Sequence, residues 1–452
     1  MTTCTSRAAW IHLLRRLHFF IGLFVGPFIF VAALTGTLYV ATPQLENMLY
    51  RDALHGAAVG ERHSLANQIA VAQRATGGEL RLYAVRPALM SGETTRVMFS
   101  DPALAESESR AIFIDPVTLA VKGDMTVYGT SGILPLRQWL DYAHRSLLLG
   151  NVGRVYSELA ASWMWVAALG GVVLWAFTRP KRRVNNRFQN TRRVHVTLGW
   201  ILLAGMLLFS ATGLTWSQWA GGNVDKMRAA FGWMTPQVNT QLNGKMAAMD
   251  PHAEHHGAMG AMPEAPPASG KTFDAVLAAA QRAGIDASLV EIRPPRSHNR
   301  AWTVTEIDRS WPTQVDAVAV DGNSMAILDR TYFADFPLMA KLTRWGVDFH
   351  MGILFGLPNQ LVLIAFGLAL CAAIIMGYRL WWIKRPTPGN AFQTLFESWR
   401  ILPLSGRLTT FIIAILLGLA LPVMGASLLI FVIVDWLRWR RFQARAVAQP
   451  AQ

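Results

Sequence analysis

Long apolar stretches without a formal charge dominate the pattern of this chain. Four stretches of 20 to 29 residues contain no Asp, Glu, Lys or Arg. A helix of roughly 20 residues crosses about 30 Å of hydrocarbon, so each stretch is long enough for one crossing. The pattern therefore predicts four membrane-spanning helices, at residues 17–40, 155–178, 194–217 and 351–383.

A fifth apolar run, residues 408–434, is interrupted by LALPVMGAS around Pro422. Basic residues flank both ends of this run. Because cytoplasmic loops carry an excess of Lys and Arg, a helical hairpin that turns at Pro422 is favoured over a single crossing. The sequence thus predicts a cytoplasmic linker at 384–407, a hydrophobic hairpin at 408–437 and a basic tail at 438–452.

Composition and charge also indicate a bilayer protein. Of the 452 residues, 52% are hydrophobic and 15% are charged, against about 25% charged residues in a typical soluble protein. The net charge of +14 is uneven: residues 179–193 hold seven basic and no acidic residues, whereas residues 41–158 hold 11 basic and 12 acidic ones. This distribution favours contact with anionic lipid over nucleic acid. It predicts that residues 1–16 and the basic loop 179–193 are cytoplasmic.

The chain contains one unit twice. LHFFIGLFVGPFIFVAALTGTLY matches VHVTLGWILLAGMLLFSATGLTW at a constant offset of 177 residues, and a second pair of segments matches at a constant offset of 206. Agreement of several rare residue types in two ungapped blocks indicates a tandem repeat. The matched pairs are His18/His195, Gly22/Gly199 and Gly36/Gly213 in the first block, and Asp115/Asp321, His144/His350, Gly150/Gly356, Trp175/Trp381 and Pro180/Pro386 in the second.

Each copy is predicted to be a helix going out, an extracytoplasmic domain and a helix returning. The domains at 41–150 and 218–350 contain hairpin patterns, AIFIDPVTLAV and DAVAVDGNSMAI, together with helical segments such as FDAVLAAAQRAG. We therefore expect an α-helical membrane protein with a four-helix transmembrane bundle, two small α+β domains and the C-terminal hairpin. The difference between the two offsets assigns residues 246–270 as an insertion in the second copy.

The histidines of the first block define a candidate haem site. Residues His18, Gly22 and Gly36 lie on one helix stripe, because four residues make about one turn and eighteen make five, a length of about 27 Å. The stripe recurs with His195, Gly199 and Gly213. Two histidines at one depth, each with a glycine one turn away that clears space for a flat ring, fit bis-histidine haem at the inner side of a helix bundle.

A second candidate pair lies at the opposite depth. His144 and His350 each precede a returning helix, near the outer boundary, where Gly36 and Gly213 would clear space. Two stacked haems would give an electron path across the membrane. In the alternative interpretation, the histidines are interfacial polar groups and the glycines serve close helix packing. Recurrence of the pattern at two depths favours haem. His12 lies off the stripe, has Gln189 as its counterpart and is expected to be unliganded.

The insertion at 246–270 is rich in His and Met. Its His252, His255 and His256 are ligand types that suit copper or iron, and we name them as a weak metal site. Because their spacing is not paired, a Pro-containing loop without metal is the favoured interpretation.

These motifs resemble a known family. The LH…G…LTG span, HRSLLLG and HMGILFG, the D-P-x-T turn and the W-x-x-x-R-P terminus, over residues 10–390, resemble the PepSY-associated transmembrane proteins, a group that includes inner-membrane ferric-siderophore reductases of Gram-negative bacteria. The resemblance implies a bacterial inner-membrane location, PepSY-like periplasmic domains and two b-type haems. It also implies reduction of siderophore-bound ferric iron, with His18, His195, His144 and His350 as axial ligands.

Two functions are open at this point. The first is a haem-dependent oxidoreductase that reduces a ferric siderophore or other ferric chelate. The chain has no G-x-G-x-x-G after a strand and no P-loop, so its electrons are expected from a quinol or a reductase partner. The second is a non-catalytic membrane protein whose outer domains bind a metal, a peptide or a protein partner. A haem spectrum distinguishes them.

Overall fold

The computed structural model describes residues 4–179, 185–242, 269–384 and 394–448. These residues are mostly helical and include an antiparallel sheet. They form two compact units. The helical unit comprises Met1–Tyr39, Asp141–Met227 and Leu361–Gln452, and the sheet unit comprises Val40–Leu140 and Arg228–Gln360.

Fifteen α-helices are present in the described part of the chain, and a π-helical turn at Ile21–Val25 joins the first two. In chain order they are α1 Cys4–Phe20, α2 Gly26–Val40, α3 Thr42–Leu49, α4 Arg51–Leu54, α5 Leu65–Ala75, α6 Pro135–Ser146, α7 Gly150–Phe177, α8 Arg187–Thr215, α9 Trp219–Ala230, α10 Gly270–Arg282, α11 Leu338–His350, α12 Gly356–Ile383, α13 Leu395–Arg400, α14 Leu404–Ala420 and α15 Pro422–Ala448.

Five of these helices are long and apolar enough to cross a membrane, among the residues described. Four of them overlap the predicted spans, but the first begins at Arg7 rather than at residue 17 and the third begins at Arg187 rather than at residue 194. The fourth begins at Gly356 rather than at residue 351, because Gly352 and Gly356 adopt positive φ angles and interrupt the preceding helix. The five helices are Arg7–Val40, Gly150–Phe177, Arg187–Thr215, Gly356–Ile383 and Pro422–Ala444. The chain is therefore a multi-pass membrane protein.

The C-terminal apolar run folds back on itself between α14 and α15. A Cβ added at Gly425 would lie 2.7 Å from the Cα of Gly418, whereas residues seven apart in a continuous helix are separated by about 10 Å. The break falls at Leu421, whose ψ of 83° is not helical, and Pro422 is the first residue of α15. Proline is tolerated in a first turn because its missing N–H needs no partner there. Asn223 of α9 donates to the carbonyls of Leu419 and Ala420 at the break.

The duplication is visible in the backbone. Helices α7 and α12 are both 28 residues long, and they begin at Gly150 and Gly356, which have φ angles of 60° and 57°. The two predicted hairpin turns also agree, because Leu119 and Met325 both have φ of 58°. The offset of 206 found in the sequence therefore relates backbone positions as well as residue types.

The sheet unit contains one eight-stranded antiparallel sheet in the order β4-β3-β2-β1-β5-β6-β7-β8. The sequence predicts two separate α+β domains, and this prediction is wrong. The four strands of each copy join into one sheet through the pairing of β1 with β5, where Val85 lies opposite Ile292. The strands are β1 Arg81–Arg86, β2 Thr95–Ser100, β3 Glu108–Ile114, β4 Val121–Tyr128, β5 Val290–Arg293, β6 Trp302–Glu306, β7 Ala317–Val320 and β8 Ile327–Thr331.

One hydrophobic core serves both halves of the sheet. Helices α5 and α10 cover the same face, and fully buried side chains from both copies, such as Ile69, Phe99, Phe273 and Ile292, belong to one cluster. Asp274 of α10 accepts hydrogen bonds from the first two backbone N–H groups of α5. The two helices are thereby linked by a cap as well as by apolar contact.

A buried ion pair joins the central strands. Arg86 of β1 donates to Glu291 of β5 at 2.7 Å, and Arg293 donates to the other carboxylate oxygen at 2.6 Å. Burial by itself raises the pKa of Glu291, but the two guanidinium groups outweigh it and bring the pKa below its usual value. The carboxylate therefore stays ionised at the seam between the two copies.

Substitution of Glu291 tests this seam. We expect Glu291→Gln to lower the free energy of unfolding by about 3 kcal/mol, because it leaves the largely buried Arg86 and the half-buried Arg293 guanidinium groups without their counter-charge. The pKa of Glu291 is lower in the folded protein than in the unfolded chain. Its contribution to the free energy of unfolding is therefore complete above the unfolded pKa and is lost as the pH falls through the folded pKa. Urea unfolding of the detergent-solubilised protein at neutral and at acidic pH measures both effects. The exposed Glu61→Gln is the control, and an equal loss in both variants would contradict the prediction.

Candidate functional site

The structure brings together the two histidines that the first repeat block predicted to be neighbours. His18 lies near the end of α1 and His195 lies in the third turn of α8. Their ring centroids are 6.4 Å apart and their planes are inclined by 75°. Both histidines belong to helices long and apolar enough to span a membrane, where an ionisable side chain is costly and usually functional.

A backbone carbonyl of a returning helix holds one of the two imidazoles. His195 Nδ1 lies 2.9 Å from the carbonyl oxygen of Ala373, which can only accept, so Nδ1 carries the hydrogen and Nε2 keeps its lone pair. The corresponding carbonyl for His18 is that of Ala167, although the buried His18 Nδ1 makes no hydrogen bond with the described residues. Ala167 and Ala373 are themselves 206 residues apart, so the repeat supplies equivalent partners.

Two further glycines make room for the rings. A Cβ added at Gly171 of α7 would lie 3.3 Å from His18 Cε1, and a Cβ at Gly377 of α12 would lie 3.5 Å from His195 Cε1. We did not identify either glycine, nor the two alanines, from the sequence. Extension of the offset of 206 into the returning helices would have found them, because Gly171 and Gly377 match in that register.

Open space adjoins the pair at the predicted glycines. A Cβ added at Gly22 or at Gly199, each one turn from its histidine, would meet no described atom within 4 Å. Metal–imidazole bonds are about 2 Å long, and a coordinating nitrogen lies roughly 1 Å from its ring centre. Two imidazoles on opposite sides of one metal ion would therefore have centroids about 6 Å apart, which matches His18 and His195. The residues fit an axially bis-histidine-ligated haem.

The second predicted pair is divided between the two units. His144 of α6 belongs to the helical unit, and its Nδ1 lies 3.1 Å from the hydroxyl oxygen of Thr35 on α2. His350 is the last residue of α11 and belongs to the sheet unit. Their pairing stays a prediction.

Gly36 and Gly213 do not leave the open space that we expect for an outer haem. A Cβ at Gly36 would lie 3.2 Å from His144 Cε1, so the His144 ring itself fills that space. A Cβ at Gly213 would lie 3.2 Å from the Cβ of Ala161, so this glycine allows α7 and α8 to approach closely. The physical reason is that a glycine opens space for whichever neighbour packs there, whether a cofactor, a side chain or a helix.

The third candidate site falls outside the structure as described. His252, His255 and His256 lie in residues 243–268, which are not among the described residues. Within the described ranges, no group of three or more His, Cys, Asp or Glu side chains could hold a metal ion.

Comparison with known proteins identifies one family. Residues 15–384 match the family described as the PepSY-associated TM region. The search of curated proteins finds no match.

The open space beside the pair can be tested without any cofactor. We expect Gly199→Ala to leave thermal stability unchanged or to raise it by up to about 1 kcal/mol, because alanine favours a helix and its Cβ meets nothing. Gly205→Ala in the same helix is the matched control, since its Cβ would collide with the Phe366 ring and should cost about 1–3 kcal/mol. Thermal unfolding in detergent measures both. Equal destabilisation of the two variants would show that the space beside Gly199 is filled.

Proposed function

The chain belongs to the PepSY-associated transmembrane family, and from that premise we propose that it is a haem-containing inner-membrane oxidoreductase. It would carry electrons across the membrane to reduce a periplasmic ferric chelate, such as a ferric siderophore, in iron uptake. The observation that carries the proposal is the His18–His195 pair, two half-buried imidazoles whose ring centroids lie 6.4 Å apart on two apolar helices.

Four histidines would hold two b-type haems. His18 and His195 would be the axial ligands of the inner haem, and His144 and His350 those of the outer one. Between two imidazoles, a haem iron stores one electron by changing between its ferric and ferrous states. The protein's part is to orient the imidazoles, and the Ala373 carbonyl does so for His195 by fixing the hydrogen on Nδ1.

The apolar surroundings suit electron transfer. Ile21, Val25, Ala168 and Leu370 belong to the buried cluster of the helical unit, on the helices that supply the pair and its carbonyls. Such packing keeps water away from the imidazoles, and with it the large reorientation of water molecules that accompanies electron transfer. Because two protein nitrogens would hold the group, the arrangement would favour electron passage over binding of a substrate at the metal.

The direction of transfer follows from topology and from the chemistry of iron. With the basic loops in the cytoplasm, the N-terminus lies inside and the sheet unit lies in the periplasm. A ferric ion bound by hard oxygen ligands holds them less tightly once reduced, so one electron loosens the chelate. The electron donor is a quinol or a reductase partner on the inner side.

Removal of one ligand of the inner pair tests the proposal. We expect His18→Leu and His195→Leu each to lose about half of the haem bound by the wild-type protein, because a single imidazole holds the ring less tightly than two. Pyridine haemochrome assay and the Soret band of purified protein measure the content. The exposed His63→Leu is the control. If the wild-type protein, expressed with adequate haem, shows no Soret band and no sharp α-band after dithionite, the protein is the non-catalytic binding protein instead.

A further inference from the structure

The C-terminal helices lie beyond the region that matches the family and pack against the helix that carries His18. The family match ends at residue 384, whereas α13, α14 and α15 follow it. Leu395 and Leu402 share a buried cluster with Ala9 and Leu13 of α1. The addition therefore forms part of the surroundings of the inner histidine.

This packing buries polar groups of the addition against His12, which also lies outside the matched region. Ser398 of α13 is 1% exposed, and its oxygen is 2.7 Å from His12 Nδ1. The Ser398 hydroxyl donates to the Thr394 carbonyl, so its oxygen accepts the hydrogen of His12 Nδ1. His12 Nε2 is left with its lone pair and can accept a proton.

A carboxylate of α15 reaches the same region. Asp435 is 4% exposed and lies within the apolar helix Pro422–Ala444. Its Oδ2 accepts the backbone N–H of Phe396, while its buried Oδ1 makes no hydrogen bond with any described residue. Arg16, one turn after His12, interacts electrostatically with Asp435. A buried carboxylate with one oxygen that makes no hydrogen bond, on an apolar helix, points to a ligand or a proton path.

Aromatic side chains lie on the same three helices as these groups. The Phe396 ring lies 6.0 Å from that of Trp399 and 4.9 Å from that of Trp439, and Trp10 and Trp399 border the buried cluster. Flat aromatic ligands are held by such rings through stacking and edge contacts. His12 precedes His18 by six residues, which is about 9 Å along a helix.

We propose that His12, Ser398 and Asp435 form the site at which a lipid-soluble hydroquinone delivers its electrons. This inference rests on the proposed function and names its electron donor. A hydroquinone fits because it reaches a buried site from the bilayer, presents two hydroxyl donors to two acceptors and stacks on aromatic rings. Asp435 Oδ1 is buried on an apolar helix, so a donor dissolved in the bilayer has a shorter path to it than a water-soluble protein.

The oxidation balances with the groups present. Conversion of one hydroquinone into a quinone breaks two O–H bonds and releases two protons and two electrons. His12 Nε2 and Asp435 Oδ1 accept one proton each. The electrons pass singly to the two ferric haem irons of the proposed function, each of which is reduced by one electron.

Two conservative substitutions test the site. Asp435→Asn keeps an oxygen for the Phe396 N–H and removes the proton acceptor, and His12→Gln introduces the residue type found at the matching position, Gln189. We expect each to slow haem reduction by decylubiquinol about 100-fold, the lower end of acid–base effects, with dithionite reduction and the Soret band unchanged. The exposed Ser405→Ala is the control and should match the wild-type rate.

A second readout does not depend on haem. An azido-substituted quinone, photolysed with the full-length protein, should cross-link to peptides of α1 and α13, and Asp435→Asn should reduce the labelling. Reduction of both variants by decylubiquinol at the wild-type rate, or cross-links confined to other helices, would overturn the inference. A wild-type protein without a Soret band would overturn the proposed function, while cross-linking would still decide whether a quinone binds here. A purely structural role would instead lower haem retention and thermal stability without a selective loss against the quinol.

Discussion

The hydrogen bond between His195 and the Ala373 carbonyl is the interaction on which the arrangement of the helical unit depends. An imidazole buried among apolar helices needs a partner for its N–H, because an unsatisfied polar group is costly where there is no water. The partner here is a carbonyl that a helix already uses in its own ladder and that has a second lone pair. In the second repeat α8 presents His195 and α12 holds it in one tautomer, and in the first repeat α7 carries Ala167 at the equivalent position beside His18. The pair of imidazoles thus depends on all four repeated helices rather than on the two that carry it.

A group of this arrangement could be predicted from the sequence only where it belongs to a distinctive residue type. The offset of 177 paired His18 with His195 because histidine is rare, and the structure places their rings side by side. The Ala167 and Ala373 carbonyls could not be recognised in the same way, since every residue has a carbonyl. The pairing of β1 with β5 escaped prediction for the same reason, because edge strands recognise each other through backbone groups. The predicted turn at Pro422 lies one residue after the observed break at Leu421, because proline readily begins a helix and here begins α15.

The two copies differ in the residues that meet the added C-terminal helices. Both keep the histidine, the carbonyl and the glycine behind the ring. Only the first has a histidine six residues before the ligand, and α13 of the added C-terminal helices packs beside that histidine. Helix α9 reaches the turn of the added hairpin through Asn223, so the addition is held at this turn as well as beside α1. A symmetric core can in this way acquire a single polar site on one side.

The joined sheet has a consequence for how such a protein could arise. A single copy would end in the unpaired β1 or β5 edge, and an exposed edge strand recruits other chains. One copy alone would therefore be expected to associate with a second through this edge, which buries Arg86 against Glu291. Fusion of the genes for two such subunits would turn an intermolecular edge contact into an internal one. The assembly would then no longer depend on subunit concentration, and each half could change without preserving symmetry.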